Sequence, residues 1–427
     1  MPHTALIPSK SKQPIQNSLL QSNHSTEEVE VRGHLIDSLL LPRILDTIAQ
    51  QGGDFVVQEF QLGHRHNEES YARLQIQADS ASCLEKIVDQ ISGFGATSVD
   101  IHDCQLKTAT VDGAYPDHFY CATNQPTYVR ISGKWKTVLR QEMDCGIAVD
   151  PVRESAKCIP MNKVHRGDLI VTGHRGIRVL PIQHGPERHL FDSMQPVIPS
   201  DKPKQASVRE VVMEMRRYRA QQKKILVVAG PAVVHTGSVD HFCKLMRTGY
   251  VDRLFAGNAL ATQDIAAAIY GNLPESEHHD EFPSHHQRQN RLRAINTVRQ
   301  LGGIRQTVEK GILSKGIMYE CVKRGIEFLL AGTIRDQSPL PEVITDTLVA
   351  QDRMRERLQD IRFCLMIASS QHAVAVSNLL PASVRLVCVD INPASVMRLS
   401  DPSKFHSVGL VTDIEPFLRD VVTQLTS

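Results

Sequence analysis

The chain has 427 residues, with 48 basic against 47 acidic. That balance leaves no electrostatic stripe for nucleic acid or an anionic membrane, so a small-molecule partner is expected. Nine scattered cysteines form no C-x-x-C pair, which removes zinc-knuckle and thioredoxin-type readings.

The length allows two or three domains with real cores. Thiols inside apolar runs, such as Cys364 and Cys388, suit a reducing, cytoplasmic setting. No run is long and apolar enough to span a bilayer.

Residues 1–27 are polar and lack an apolar stretch, which predicts a disordered tail and not a signal peptide. From Val29, "VEVRGHLIDSLLLPRILDTIAQQGG" reads as a strand and then a helix stopped by Gly52 and Gly53. "DFVVQEFQLG" and "SYARLQIQAD" alternate as strands, and "ASCLEKIVDQISGFG" has helical spacing. This β-α-β-β-α order predicts a small ferredoxin-like α/β domain over 28–125. Residues 126–205 carry short β-type runs punctuated by Gly and Pro, with turns at "HRGD" and "GHRG". They predict a β-rich middle segment.

Residues 206–427 are regular. Six apolar runs each end in a polar turn: "KILVVAGP", "VDRLFAGNA", "IEFLLAGTIRD", "FCLMIASS", "VRLVCVD" and "SVGLVTD". Helical segments lie between most of them. This predicts a doubly wound parallel sheet, Rossmann-like, with ligands outside the carboxyl ends of the strands.

The residues that end the runs are therefore the candidates. Ala368, Ser369, Ser370, Gln371 and His372 turn from a strand into a helix, where free amides can meet a pyrophosphate without the G-x-G-x-x-G glycines. Asp390 ends the next strand about 20 residues on, where a carboxylate can hold a ribose. Asn258 and Ala259 open a helix after another strand, and Asn258 can serve a ligand or the cap. Arg335 and Asp336 stand on the Pro-bearing loop "GTIRDQSPLPEVITD", as a substrate clamp or a surface ion pair. Asp413 ends the last run and can cap the helix near Pro416. The doublets His278–His279 and His285–His286 read as a solvated loop, with no metal site expected. Cys145 reads as a buried structural thiol. Lys315 is a candidate for a substrate amine or carboxylate.

Taken together, "AGNALATQDI", "GGIRQTVEKGILSKGIMYE", "LAGTIRDQSPLPEVITDT", "NLLPASVRLVCVDINPASVMRL" and "GLVTDIEPFL" resemble the archaeal NAD-dependent ornithine cyclodeaminase family. The same module forms the C-terminal half of cyanobacterial bifunctional arginine dihydrolase/ornithine cyclodeaminases. The N-terminal region resembles the conserved segment of lysine-oxoglutarate reductase/saccharopine dehydrogenase. The likeness runs from about residue 28 to the end.

The resemblance implies a deoxyhypusine-synthase-like C-terminal domain that binds NAD without the usual glycines. By position, Asn258, Ala259, Asp336, Ala368, Ser369, Ser370, Gln371, His372, Asp390, Asp413 and Ile414 would hold the cofactor. It implies conversion of L-ornithine to L-proline and ammonia, with NAD lending a hydride and no net redox change. Asp264, Lys315, Arg335 and Asp336 are the candidates for clamping the substrate and moving protons. A homodimer or homotetramer is implied, and no arginine-degrading activity. Gln263, Gln337, Ser338 and Ser377 depart from the family pattern, which bears on substrate choice more than on NAD. Two other activities fit the same scaffold: an amino-acid dehydrogenase of the saccharopine type, and a non-catalytic NAD or amino-acid sensor.

Overall fold

The alternation of "STEEVEVRG" becomes strand β1 (Ser25–Gly33), so the first sheet begins inside the expected tail. The computed structural model describes residues 25–33, 35, 40–63, 68, 70–99, 102–180, 197–198, 204–271, 285–336, 338–399 and 407–427. The rest of the tail, His278, His279 and Gln337 lie outside these residues.

After β1 come α1 (Leu40–Gln50), β2 (Asp54–Gln61), β3 (Ser70–Ala78), α2 (Ala81–Ser92) and β4 (Thr97–Ser98). The sheet order β2-β3-β1-β4 is all antiparallel and ferredoxin-like. Alternate residues of two strands, Val29, Val31, Leu74 and Ile76, meet Ile44, Ile48, Ile87 and Ile91 of the two helices. Each strand thus buries one face only, as its period of two requires.

The second sheet starts before the expected boundary at residue 125. It holds β5 (Gln105–Thr108), β6 (Thr127–Ile131), β7 (Lys134–Leu139), β8 (Gly146–Asp150), β9 (Ser155–Ile159), β10 (Leu169–Thr172) and β11 (Ile177–Val179). Their order is β11-β6-β7-β9-β8-β10-β5. The "GHRG" turn hooks this unit to the first one: His174 Nε2 lies 3.1 Å from Glu27 Oε1, and Nδ1 lies 3.6 Å from Asp89. Cys145 is buried, and its thiol donates to the Glu142 carbonyl. Glu142 in turn receives Arg355 of the third unit through Nε at 2.9 and 2.8 Å.

The third unit holds eight parallel strands. They are β12 (Val197–Ile198), β13 (Lys224–Ala229), β14 (Arg253–Gly257), β15 (Glu327–Ala331), β16 (Val343–Ile344), β17 (Ile361–Ile367), β18 (Arg385–Asp390) and β19 (Ser407–Val411). All six apolar runs are strands, and the two-residue β12 and β16 add an edge on each side. The helices are α3 (Lys204–Ala220), α4 (Ala232–His235), α5 (Val239–Arg247), α6 (Asn258–Tyr270), α7 (His285–Leu301), α8 (Ile304–Glu309), α9 (Ile317–Arg324), α10 (Thr347–Leu358), α11 (Ser370–Leu379), α12 (Pro393–Leu399) and α13 (Ile414–Thr426). Strand order is β12-β19-β18-β17-β13-β14-β15-β16. Central strands such as β17 are buried on both faces, one side packing into each of two apolar clusters. That is why they read as continuous apolar runs.

At the amino ends of the strands, Arg253 reaches Glu327 and Asp360, Arg357 reaches Glu327, and Lys224 reaches Asp360. This ion network ties the floor of the sheet together. The opposite rim carries the candidate site.

Candidate active site

The chain runs outward from β13 through β14 and β15, then returns beside β13 as β17 and runs the other way through β18 and β19. The reversal point lies between β13 and β17, and crevices for ligands open at such points. Two turns meet there. Gly230, after β13, donates its amide to the Ile367 carbonyl at 2.9 Å. A methyl group built on Gly230 would stand 1.7 Å from the Ala368 carbonyl oxygen, so only glycine fits. Ala368 has φ +47°, a left-handed conformation that costs a non-glycine residue about 1 kcal/mol or more. Sequence reasoning missed Gly230. Its signal was the Gly-Pro pair directly after the first apolar run.

Beyond that turn, α11 begins without a side-chain cap: Ser369 occupies the cap position but makes no capping bond. The leading amides of α11, at Ser370, Gln371 and His372, therefore face the rim with the positive end of the helix behind them. Helix α6 is likewise uncapped at Gly257. Helix α4 also opens without a side-chain cap, at Pro231, whereas carboxylates close α10 and α13 and the Asn392 side-chain oxygen accepts from the Ala394 amide at the start of α12. Asp413 caps α13 by accepting from the Glu415 amide, two residues earlier than the expected start near Pro416. Asp390 accepts from the Asn392 amide at 2.8 Å in a tight turn. The Ile414 side chain is buried in the core, which leaves its backbone to the rim.

Asn258 does not cap its helix. Its amide nitrogen donates to Asp336 Oδ1 at 2.8 Å, and its oxygen accepts from the Leu340 amide at 3.1 Å. Asp336 Oδ2 accepts from the Thr333 amide at 2.7 Å. Asn258 and Asp336 thus pin the long loop after β15, with Ala259 beside them on α6. Arg335 stands on the exposed part of that loop, next to a fully exposed Ile334.

His372 leans across from α11 to the ends of β14 and β15. Its ring edge lies on Gly257, where an added methyl would come within 2.7 Å of Cε1. The Ala331 carbonyl and the Asp336 charge both favour a proton on the ring. Burial, the strongest influence, still holds its proton affinity below the ordinary histidine value.

Asp264 sits one layer deeper and is 1% exposed. Its two oxygens accept from the Ile317 and Met318 amides, each at 2.8 Å, and so cap α9 from outside. Burial raises its pKa to about 6, against the opposing pull of these amides. The cap holds the turn that carries Lys315, which is exposed at the start of α9. Of the expected residues, Asn258, Asp336 and His372 form one cluster and Ala368–Gln371 a second. Asp390, Asp413 and Ile414 continue along the same rim, while Asp264, Lys315 and Arg335 lie around it.

The strand order β15-β14-β13-β17-β18-β19 and its rim define a Rossmann-fold protein with a ligand crevice at the reversal point. Three family models tile the chain. They are the conserved region of lysine-oxoglutarate reductase/saccharopine dehydrogenase bifunctional enzymes over 26–125, the first C-terminal region of ArgZ-like arginine dihydrolases over 126–208, and the C-terminal Rossmann fold of ArgZ-like arginine dihydrolases over 209–421. An ornithine cyclodeaminase of Methanothermobacter thermautotrophicus is 43% identical over 404 residues, covering 92% of this chain and 96% of that protein. Among solved structures, cyanobacterial ArgZ without ligand matches with a TM-score of 0.82 and 36% identity, over 97% of this chain and 60% of that one. A ternary complex of AgrE with ornithine and NAD+ matches with a TM-score of 0.50 and 36% identity, over the same shares. This chain belongs to the ornithine cyclodeaminase family of enzymes.

Proposed function

We propose that the protein converts L-ornithine to L-proline and ammonia, with NAD held at the reversal point. The observation that carries the reading is the meeting of Gly230 and Ala368 under the uncapped start of α11. This fits a pyrophosphate, because backbone can approach it closely and unpaired amides can bind it. The identity to named ornithine cyclodeaminases supports the choice of substrate.

In this reading the amides of Ser370, Gln371 and His372 take the phosphates, and Ala368 and Ser369 shape the turn. Asp390 holds a ribose. Its negative charge disfavours a 2′-phosphate, which favours NAD over the phosphorylated form. Bound NAD supplies a reversible hydride acceptor. The protein's own part is to hold the α-carbon of the substrate in one position, bind its carboxylate and exclude water. Arg335 and Lys315, exposed cations around the rim, receive the carboxylate. Asn258 and Asp336 fix the loop that carries Arg335. Ala259, Asp413 and Ile414 line the ends of the crevice with backbone and small groups.

The test is direct. Purified protein is denatured, and the supernatant is assayed for nicotinamide nucleotide. Intact protein is then given L-ornithine, and proline and ammonia are measured. Equal amounts of the two products, with no build-up of NADH, are expected. Accumulation of NADH and a 2-oxo acid would instead identify a dehydrogenase. NAD binding with no turnover of ornithine, lysine or arginine would identify a sensor.

A further inference from the structure

We propose that strand β2 is a surface through which two copies of this chain associate, each β2 pairing antiparallel with the other about a twofold axis between Gln58 and Glu59. The inference goes beyond the ornithine reading and holds or fails independently of it.

β2 is an edge unlike the others. Among the described residues, each of the three sheets ends in two edge strands. Five of these, β4, β5, β11, β12 and β16, are two to four residues long. Edges that short offer little to a neighbour. β2 is eight residues long, and among the described residues it pairs only with β3. Its sequence, "DFVVQEFQ", has no lysine or proline, the residues that commonly guard a free edge. Val56, Val57 and Phe60, with Leu62 directly after the strand, are 43 to 53% exposed.

The order of faces along β2 selects a second copy of itself. Phe55, Val57 and Phe60 stand opposite Ile76, Leu74 and Ala72 of β3, which enter the helix-covered core. These three therefore share the core face. Val56, Glu59 and Gln61 stand opposite Gln75, Arg73 and Tyr71, on the open face. Gln58 is the extra residue of a bulge, and its side-chain amide donates to Glu28 at 3.1 Å. Glu28 lies opposite Gln75, so Gln58 is on the open face too. From Val56 to Gln61 the faces read open, core, open, open, core, open, the same in both directions. An antiparallel partner with this sequence matches every face when the axis lies between Gln58 and Glu59. A slip of one or two residues either way sets a core-face residue against an open-face one.

That register sets Val57 against Phe60 of the second copy on the core face. On the open face it sets Val56 against Gln61 and Gln58 against Glu59. Each contact occurs twice, as a twofold interface requires. A β-branched residue facing an aromatic is a favourable cross-strand pair, and both side chains leave water. No acid directly faces an acid, and Glu59 already stands opposite Arg73 in its own sheet. The backbone groups on the free side of β2 gain partners, and two four-stranded sheets become one of eight strands.

Light scattering on the full chain at micromolar concentration tests this. The expected mass is twice 47.6 kDa, or four times where a second interface joins two such pairs. Val57→Lys combined with Phe60→Lys should halve that mass, or weaken association by at least about tenfold, because lysine on an edge opposes pairing. Val152→Lys, at a largely exposed side chain elsewhere, should leave it unchanged. Cross-linking tests the register. Val57→Cys combined with Phe60→Cys, treated with oxidised glutathione, should give a disulfide-linked dimer that neither single cysteine variant gives. Within one strand the two positions lie about 10 Å apart, too far to bridge each other. A wild-type mass of 47.6 kDa up to tens of micromolar would leave the edge to some other partner and overturns the proposal. A folded lysine variant that associates like wild type overturns it as well. Should that variant not fold, the cross-link decides: no linked dimer, or equal linking by the single variants, overturns the proposal.

Discussion

Replacing Gly230 by alanine probes the reversal point without touching any side chain that could bind a ligand. The new methyl would begin 1.7 Å from the Ala368 carbonyl oxygen. An ordinary carbon–oxygen contact needs about 3.3 Å, so one of the two turns must withdraw by roughly 1.5 Å. Neither can yield quietly. The Gly230 amide is bonded to Ile367 and the Ala368 amide to Val389, at 2.9 and 3.0 Å. A shift of about 1 Å in a preorganised site costs on the order of 100-fold, or about 2.7 kcal/mol. The expectation is a loss of NAD affinity of at least that factor. Overpacking should add about 1–3 kcal/mol of lost stability. Calorimetric titration with NAD at a temperature where the variant is folded by circular dichroism separates the two effects. A folded Gly230→Ala protein with wild-type NAD affinity would refute the placement of the cofactor over this turn.

Further expectations follow from single contacts. Asn258→Ala leaves the Leu340 amide buried without its acceptor and Asp336 Oδ1 without the Asn258 donor, while Oδ2 keeps Thr333. It should cost about 2–3 kcal/mol, visible as faster hydrogen exchange across 332–342. Asp264→Ala strands the Ile317 and Met318 amides at about 1–3 kcal/mol each, read as a lower urea midpoint. Burial pulls the His174 proton affinity down, but Asp89 and Glu27 prevail and raise it to about 9. Its contribution should therefore be whole below pH 6.5 and fade as pH rises through 9, on the order of 1–3 kcal/mol. His174→Gln should flatten the pH dependence of the urea midpoint in that window.

Much of the third unit was legible because its strands are buried on both faces, and such strands appear as unbroken apolar runs. The two edge strands were not legible: Val197–Ile198 and Val343–Ile344 are each two residues long, too short for any period. The pairing of Gln105–Thr108, inside the first expected segment, with Leu169–Thr172, about 60 residues on, was not legible either, because nothing local announces that partner. Within the site, residue type and strand-end position pointed to Asn258, Asp336 and His372. Their roles depend on contacts across 78 and 82 residues of chain for Asn258, and on the seating of His372 over Gly257. Asp264 was legible as a polar residue near the rim. Its burial and its hold on α9 come from Gly316 packing against it, which no spacing rule contains.

In the proposed reaction, ornithine becomes proline through a hydride that leaves the α-carbon and returns to it within one bound cofactor. The measurement is turnover of L-ornithine carrying deuterium at the α-carbon, with the proline analysed by mass spectrometry and NMR. A returned hydride gives proline that retains deuterium at C2, one ammonia per proline and no net NADH. Proline without the label, or deuterium recovered in released NADH beside a 2-oxo acid, would contradict it.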